Sequence, residues 1–310
     1  MALTTNPWDA TALVAYINEI WPGPTNEEFF AGAVAANFFM DLSPYAQNGG
    51  DIIHVPNVFT NVFTVNSQST QGAEITTGDA TVVDDTLTIN THKYIATLLG
   101  DKDAQQIASV YNLNEIYARK AGGTMVEDLE AALFALQSSV STNTVNDTAS
   151  VINDTDLRGA VEKLDSADTP LSECAWFFHP YAYWTQIHAI QKYYDAAQAG
   201  WNSAKTPTVT GNFGTTNGQM KSLRGQLYGM PVYTSSKVVN TLLATKNLLA
   251  HKNAFMFATQ TPGGQRIRFQ SEKWLANLGI LAIWDMIYGV SEVREEAACL
   301  INGSNAFIAS

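Results

Sequence analysis

No lysine or arginine occurs in the first 92 residues of this 310-residue sequence; Lys93 is the first base. Ten acids precede it: Asp9, Glu19, Glu27, Glu28, Asp41, Asp51, Glu74, Asp79, Asp84 and Asp85. From Lys93 onward, 19 acids meet all 17 bases, so most of the net charge of −12 lies in the first third. Binding phosphate closely requires clustered Lys and Arg, and this distribution argues against a chain that wraps nucleic acid. An acidic stretch of this length points instead to docking on positive surfaces elsewhere.

Other scarcities narrow the class. Charged residues make up 15% of the chain, against a usual share of about a quarter, while hydrophobic residues make up 46%. The chain is therefore globular with a sizeable core, and its thin supply of charge suits a surface covered by copies of itself. Two cysteines, Cys174 and Cys299, stand far apart with no CxxC spacing. That implies no disulfide scaffold or zinc site and leaves buried thiols as the expectation. No apolar run reaches the length of a membrane span. The N-terminal segment has no positive n-region and no apolar h-region, so secretion is not expected. The triplets beginning at Asn146, Asn153 and Asn302 match the glycosylation pattern, which carries no meaning without secretion.

Catalytic patterns are missing as well: no GxGxxG, Walker loop, GxSxG or HExxH occurs. Of the five histidines (His54, His92, His179, His188 and His251), only His179 and His188 are near in sequence, nine apart. Nine is not a helical ligand spacing, and structural roles are expected for all five. The chain reads as a non-enzyme without metal or cofactor.

What is present is organised around residues 101–139. Apolar positions recur at Ile107, Val110, Leu113, Tyr117, Ala121, Met125, Leu129, Leu133 and Leu136, with steps that average to the α-helical period. Asp101 and Asp103 suit the positive end of such a helix, and Ser138 and Ser139 suit its stop. At 1.5 Å per residue it would be on the order of 55–60 Å long. Gly122-Gly123 predicts a bend or a close backbone contact within it, or a break into two helices.

Before this spine, residues 1–40 read as two short helices around Trp21-Pro22-Gly23-Pro24, an aromatic-rich arm expected to pack on its own domain or on a neighbouring copy. From Asp51 the pattern turns to β: Ile53 and Val55 alternate, residues 66–85 are polar, and Thr86-Leu87-Thr88-Ile89-Asn90 starts a strand running towards Leu98. Two strands joined by so long a polar stretch predict a protruding arm. After the spine come a connector over 140–155 and a helix over 156–168 with Leu157, Val161 and Leu164 on one face. A buried strand at Cys174-Ala175-Trp176-Phe177-Phe178 follows, then a helix from Pro180, a loop over 200–222 and a strand over 227–233. Three further strands are predicted at 254–258, 265–270 and 281–292. The order gives an α+β architecture.

Several stretches are similar to one family in their shared order. They are Gly50-Asp51-Ile52-Ile53-His54-Val55-Pro56, Asp84-Asp85-Thr86-Leu87-Thr88-Ile89, Lys93-Tyr94 before Asp101, and Trp176 to His179 with Pro180. Gly229-Met230-Pro231-Val232-Tyr233 and the run from His251-Lys252-Asn253-Ala254 to Gln260 complete the set. Over nearly the whole chain this resembles the Hong Kong 97-like fold of tailed-bacteriophage major capsid proteins. The resemblance implies an N-terminal arm (1–50), an extended β loop (51–100), a spine helix of a peripheral domain (101–145), a central or axial domain (146–258), and peripheral strands with the C-terminus (259–310).

The function implied is structural: self-assembly into an icosahedral head, in the host cytoplasm, enclosing double-stranded DNA of a tailed phage without sequence-specific binding and without a membrane. Implied partners are further copies in hexamers and pentamers, a separate scaffolding protein, a portal and, as an open option, a decoration protein. An encapsulin-type compartment is the alternative. Covalent cross-linking through a loop lysine is not implied, since residues 51–92 contain no lysine. Arg266 and Arg268 stand two apart in a strand-like run and so share a face. They are expected either to meet Glu74, Asp79, Asp84 and Asp85 on a neighbour's loop or to pair within their own subunit or sit in water.

Overall fold

The computed structural model describes residues 33–47, 49–57, 66–67, 83–100, 113–146, 150–190, 223–241, 244–260, 266–274 and 279–305. In chain order come strands β1 (Met40–Asp41), β2 (Ile52–Asn57), β3 (Val83–Thr88) and β4 (Thr91–Gly100), helix α1 (Leu113–Ala135), β5 (Thr144–Val145), helix α2 (Asp154–Ser166) and β6 (Cys174–Phe178). A short helix α3 (Pro180–Ala182) precedes β7 (Leu223–Leu227), β8 (Met230–Thr234), β9 (Ala244–His251), β10 (Phe255–Gln260), β11 (Arg268–Trp274), β12 (Gly279–Glu292) and β13 (Ala298–Ser304).

The strands form three sheets. The first is built on β12, which pairs antiparallel with β4 along one edge and with β11 and then β10 along the other; β1 extends it beside β10 in parallel. The second runs β5-β13-β9-β6-β8-β7. The third is the ribbon β2-β3 alone, with Ile52 opposite Thr88 and Asn57 opposite Val83.

Helix α1 lies across the first two sheets. Its buried face (Ala118, Ala121, Met125, Val126, Leu129, Leu133 and Phe134) shares one core with Phe177 and Leu248 of the six-stranded sheet and Phe255, Phe257 and Trp284 of the five-stranded one. Each such large side chain contributes about 1.5–3 kcal/mol on full burial. On the other face of the six-stranded sheet, α2 packs Leu157, Ala160 and Leu164 against Trp176, Phe178, Leu249 and Ile301. Helix α2 opens with a capping box: Asn153 accepts from the backbone of Thr155 and Asp156, and the Asp156 carboxylate accepts from the Asn153 N–H. A third small core holds Leu42, Leu87, Ile89, Met256 and Val293 under the ribbon.

Several expectations are corrected. The break allowed for at Gly122-Gly123 does not occur: helix α1 runs on through both residues, with core contacts on the neighbouring turns. Its expected first turns, like the loop over 200–222 and residues 1–32, lie outside the described residues. The strand expected from Thr86 towards Leu98 is two strands in different sheets, parted at Ile89-Asn90. Residues 227–233 are a hairpin turning at Tyr228 and Gly229, both with positive φ. The helix from Pro180 passes at once into a π turn, Tyr183–Ile187. Strands β9 and β13 had been missed, and β13 pairs with β9 in the six-stranded sheet rather than joining the strands with which 259–310 grouped it. The aromatics Phe38 and Phe39 pack on Phe177 and Phe255 of their own chain.

Candidate assembly site

The ribbon β2-β3 leaves the body at one point. Gly289 of β12 lies so close to the end of β3 that an added Cβ would meet the Thr88 carbonyl oxygen at 2.3 Å. Leu87 and Ile89 are buried there, and the Ile89 N–H donates to the Asp51 carbonyl at 2.7 Å. Farther out, His54 Nδ1 and Asp84 Oδ2 are 2.5 Å apart across the ribbon, both exposed. Asp85 lies opposite Val55, with one carboxylate oxygen enclosed. Among the described residues, β2 and β3 pair with no third strand. Glu74 and Asp79 lie outside the described residues.

The two arginines expected to reach such acids on a neighbour are engaged within the chain. Arg266 precedes β11 in a bend, not in a strand, and its Nη2 donates to Asp41 Oδ2 at 2.6 Å. Arg268 is bidentate on Asp285, at 2.9 Å through Nε and 2.6 Å through Nη2, and His92 Nε2 lies 2.9 Å from the same carboxylate. Burial pushes the Asp285 carboxyl up, but the hydrogen bonds from Arg268 and His92 outweigh it and hold the group below its usual range. Arg268, Asp285 and His92 thus link β11, β12 and β4 across the outer face of the sheet, a charge-assisted arrangement stronger than an exposed pair.

Two carboxylates that the sequence reading passed over tie elements together. Glu130 is buried on α1 and accepts from the backbone N–H groups of Val34 and of Ala35, the latter at 2.9 Å, and from the Ser235 hydroxyl at 3.3 Å. Burial raises its pKa, opposed by those backbone donors. It fixes residues 33–35 to the helix and to the turn after β8. Its position four residues from both Val126 and Phe134, inside the apolar face, was the available signal. Glu295 accepts from the N–H and hydroxyl of Ser141 and of Thr142 at 2.8–3.1 Å. It thereby clamps the exit of α1 to the crossing between β12 and β13. No sequence pattern marks it.

Among the described residues, the remaining titratable groups offer no reactive constellation. Burial pushes both thiols, Cys174 and Cys299, up to about 12. His251 is buried beside Glu173, and His179 caps α3 by accepting from the Tyr181 N–H. Among the described residues no group of acids, histidines or cysteines has the arrangement of a metal site, and no helix is long and apolar enough to cross a membrane.

No protein-family model and no curated protein matches this sequence. Solved structures do match it. A chain from Mycobacterium phage Che8 is 16% identical, with 88% of this chain and 92% of that one covered and a TM-score of 0.64. The capsid of Ralstonia phage GP4 is 13% identical, with 98% and 93% covered and a TM-score of 0.63. The fold is that of phage capsid subunits. A virus-like particle from Pyrococcus furiosus shares it less closely: 11% identity, 93% and 100% covered, TM-score 0.53. Within this fold the ribbon packs its root, Leu87 with Ile53 and Val55, on the third small core.

Proposed function

We propose that this chain is the major capsid protein of a tailed phage, a non-enzymatic tile that closes into an icosahedral shell around double-stranded DNA. The observation that carries this reading is the length of the match: 98% of this chain aligns with 93% of a phage capsid subunit. The ribbon supports it, since among the described residues its strands pair with no third strand and leave both edges free to meet another surface. Within the Hong Kong 97-like plan, the ribbon is the extended loop and α1 the spine. The five-stranded sheet is then the peripheral domain and the six-stranded sheet the central one.

The acids Glu74, Asp79, Asp84 and Asp85 face a neighbouring copy in this proposal. Arg266 and Arg268 can receive them only by sharing with Asp41 and Asp285. A scaffolding protein, a portal and an optional decoration protein complete the assembly, formed in the host cytoplasm.

The test is to express the full chain alone and with the products of adjacent reading frames, then inspect sedimenting material by negative-stain microscopy. Closed particles of uniform diameter are expected. A monodisperse monomer under every condition would sink the proposal. The compartment alternative has the lower structural similarity; particles packed with an enzyme rather than DNA would favour it.

A further inference from the structure

A histidine stands where the chain passes from one large sheet to the other. Strand β9 of the six-stranded sheet ends at His251 and β10 of the five-stranded sheet begins at Phe255, so residues 251–254 make the crossing. The Ala254 N–H closes this turn by donating to the His251 carbonyl at 3.0 Å. The Ala254 carbonyl accepts from the Val293 and Arg294 N–H groups, at 2.9 and 3.3 Å, where β12 gives way to β13. Both crossings are therefore tied at one turn.

The His251 ring is buried, and its Nδ1 accepts from the Asn253 N–H at 3.1 Å. A ring nitrogen that accepts carries no proton, so the closed turn holds the neutral ring with its proton on Nε2. A second proton would have to enter at Nδ1, where it would face the Asn253 N–H donor to donor. Compensation on the other side is poor. Nε2 lies 3.2 Å from Glu173 Oε2 without the alignment of a hydrogen bond, and Oε1 of that carboxylate already accepts from Lys252 Nζ at 2.5 Å. The titratable and charged groups around the ring are Glu173 before β6, Lys252 beside it, Arg294 at the second crossing and the thiol of its register partner Cys174. Burial pulls the ring below its ordinary value of 6.5, Lys252 and Arg294 push the same way, and Glu173 opposes them without prevailing.

The same device recurs after β6. His179 Nδ1 accepts from the N–H two residues on, that of Tyr181, at 3.2 Å, and burial lowers its pKa as well. That turn leads into α3 rather than into the other sheet, which makes it a control for His251.

We propose that His251 is an acid-sensitive joint: neutral, it locks the β9–β10 crossing and the angle between the two large sheets; protonated, it releases both. The joint belongs to the single subunit and stands apart from the capsid reading above. In an open turn the ring is hydrated and titrates near 6.5, so below that pH opening gains about tenfold per pH unit until the closed turn itself takes up the proton.

The test is amide exchange on the full chain, read as protection factors so that the intrinsic pH dependence of exchange cancels. Protection at Asn253 and Ala254 should fall about five- to tenfold between pH 7.5 and pH 5.5, while Leu129 and Leu133 of α1 hold theirs. His251→Asn, whose side-chain oxygen can accept from the same N–H and takes up no proton, should keep the protection at pH 7.5 and remove the fall. His179→Asn should leave the fall in place. Spin labels on Tyr45→Cys and Val151→Cys, exposed positions beside the two sheets, should give a broader distance distribution at pH 5.5, with labelled chain diluted into unlabelled; Cys174 and Cys299 are buried. Constant protection at Asn253 in the unmodified chain overturns the proposal. A fall that survives His251→Asn, or disappears with His179→Asn, assigns the proton elsewhere and overturns it too. A fall with an unchanged distance distribution shows a loosened turn that moves no sheet, which overturns the joint.

Discussion

Glu295 shows how a single side chain can hold a junction that no periodicity announces. It stands below its ordinary value of 4.5, at about 2, because the Thr142 N–H and hydroxyl, and then those of Ser141, favour its charged form. A depressed carboxylate stabilises the folded state above its unfolded pKa, and that contribution disappears as pH falls from about 4.5 towards about 2. Glu295→Ala should therefore cost about 1–2 kcal/mol at pH 7. Thermal melts of variant and parent should converge as the pH is lowered through that window. A gap that stays constant from pH 7 to pH 2 would show that the carboxylate charge plays no part. Arg268 teaches a related lesson. Its spacing from Arg266 was visible in sequence, but its partner Asp285 arrives only through the β11-β12 register, 17 residues away.

At the scale of elements, the ribbon depends on one close approach. Gly289→Ala would place a methyl group 2.3 Å from the Thr88 carbonyl oxygen and 3.0 Å from the Ile89 Cα, both backbone atoms that cannot swing aside. The expected result is a loss of about 1–3 kcal/mol and faster amide exchange at Leu87 and Ile89, with α1 unaffected. Unchanged exchange at those two amides would mean the ribbon root is not set by this contact. What could be read in advance follows from locality. Helix α1 and strand β6 were legible because their burial patterns are written in consecutive residues. The break at Ile89-Asn90 was not, because both halves alternate alike and only different partners, β2 and β12, separate them. Strand β9 was hidden for the opposite reason: apart from Lys246 it is buried throughout, so the run from Ala244 to His251 shows no alternation to detect.

Among the described residues, the two larger sheets are crossed by α1 and joined by paired crossings, β9 into β10 and β12 into β13, where the Val293 N–H donates to the Ala254 carbonyl at 2.9 Å. Under the capsid function proposed above, the wall of a filled head would be stretched from within, and β12 would then acquire a mechanical meaning. From Gly279 to Tyr288 it is bonded to β4, and on its other edge to β11 and β10. Antiparallel bonds lie perpendicular to the strands, so tension along them strains the whole ladder at once, whereas a pull from one end parts its rungs in turn. Single-molecule pulling between Thr91 and Ile280, at opposite ends of the β4-β12 ladder, should meet a higher rupture force than pulling between Leu99 and Ile280, which are direct partners at one end. Equal forces in the two geometries would remove the argument. If the forces differ as expected, each subunit resists most strongly along the axis of its longest strand and tears most easily across it. The direction in which a pressurised head would fail is then already set within a single subunit.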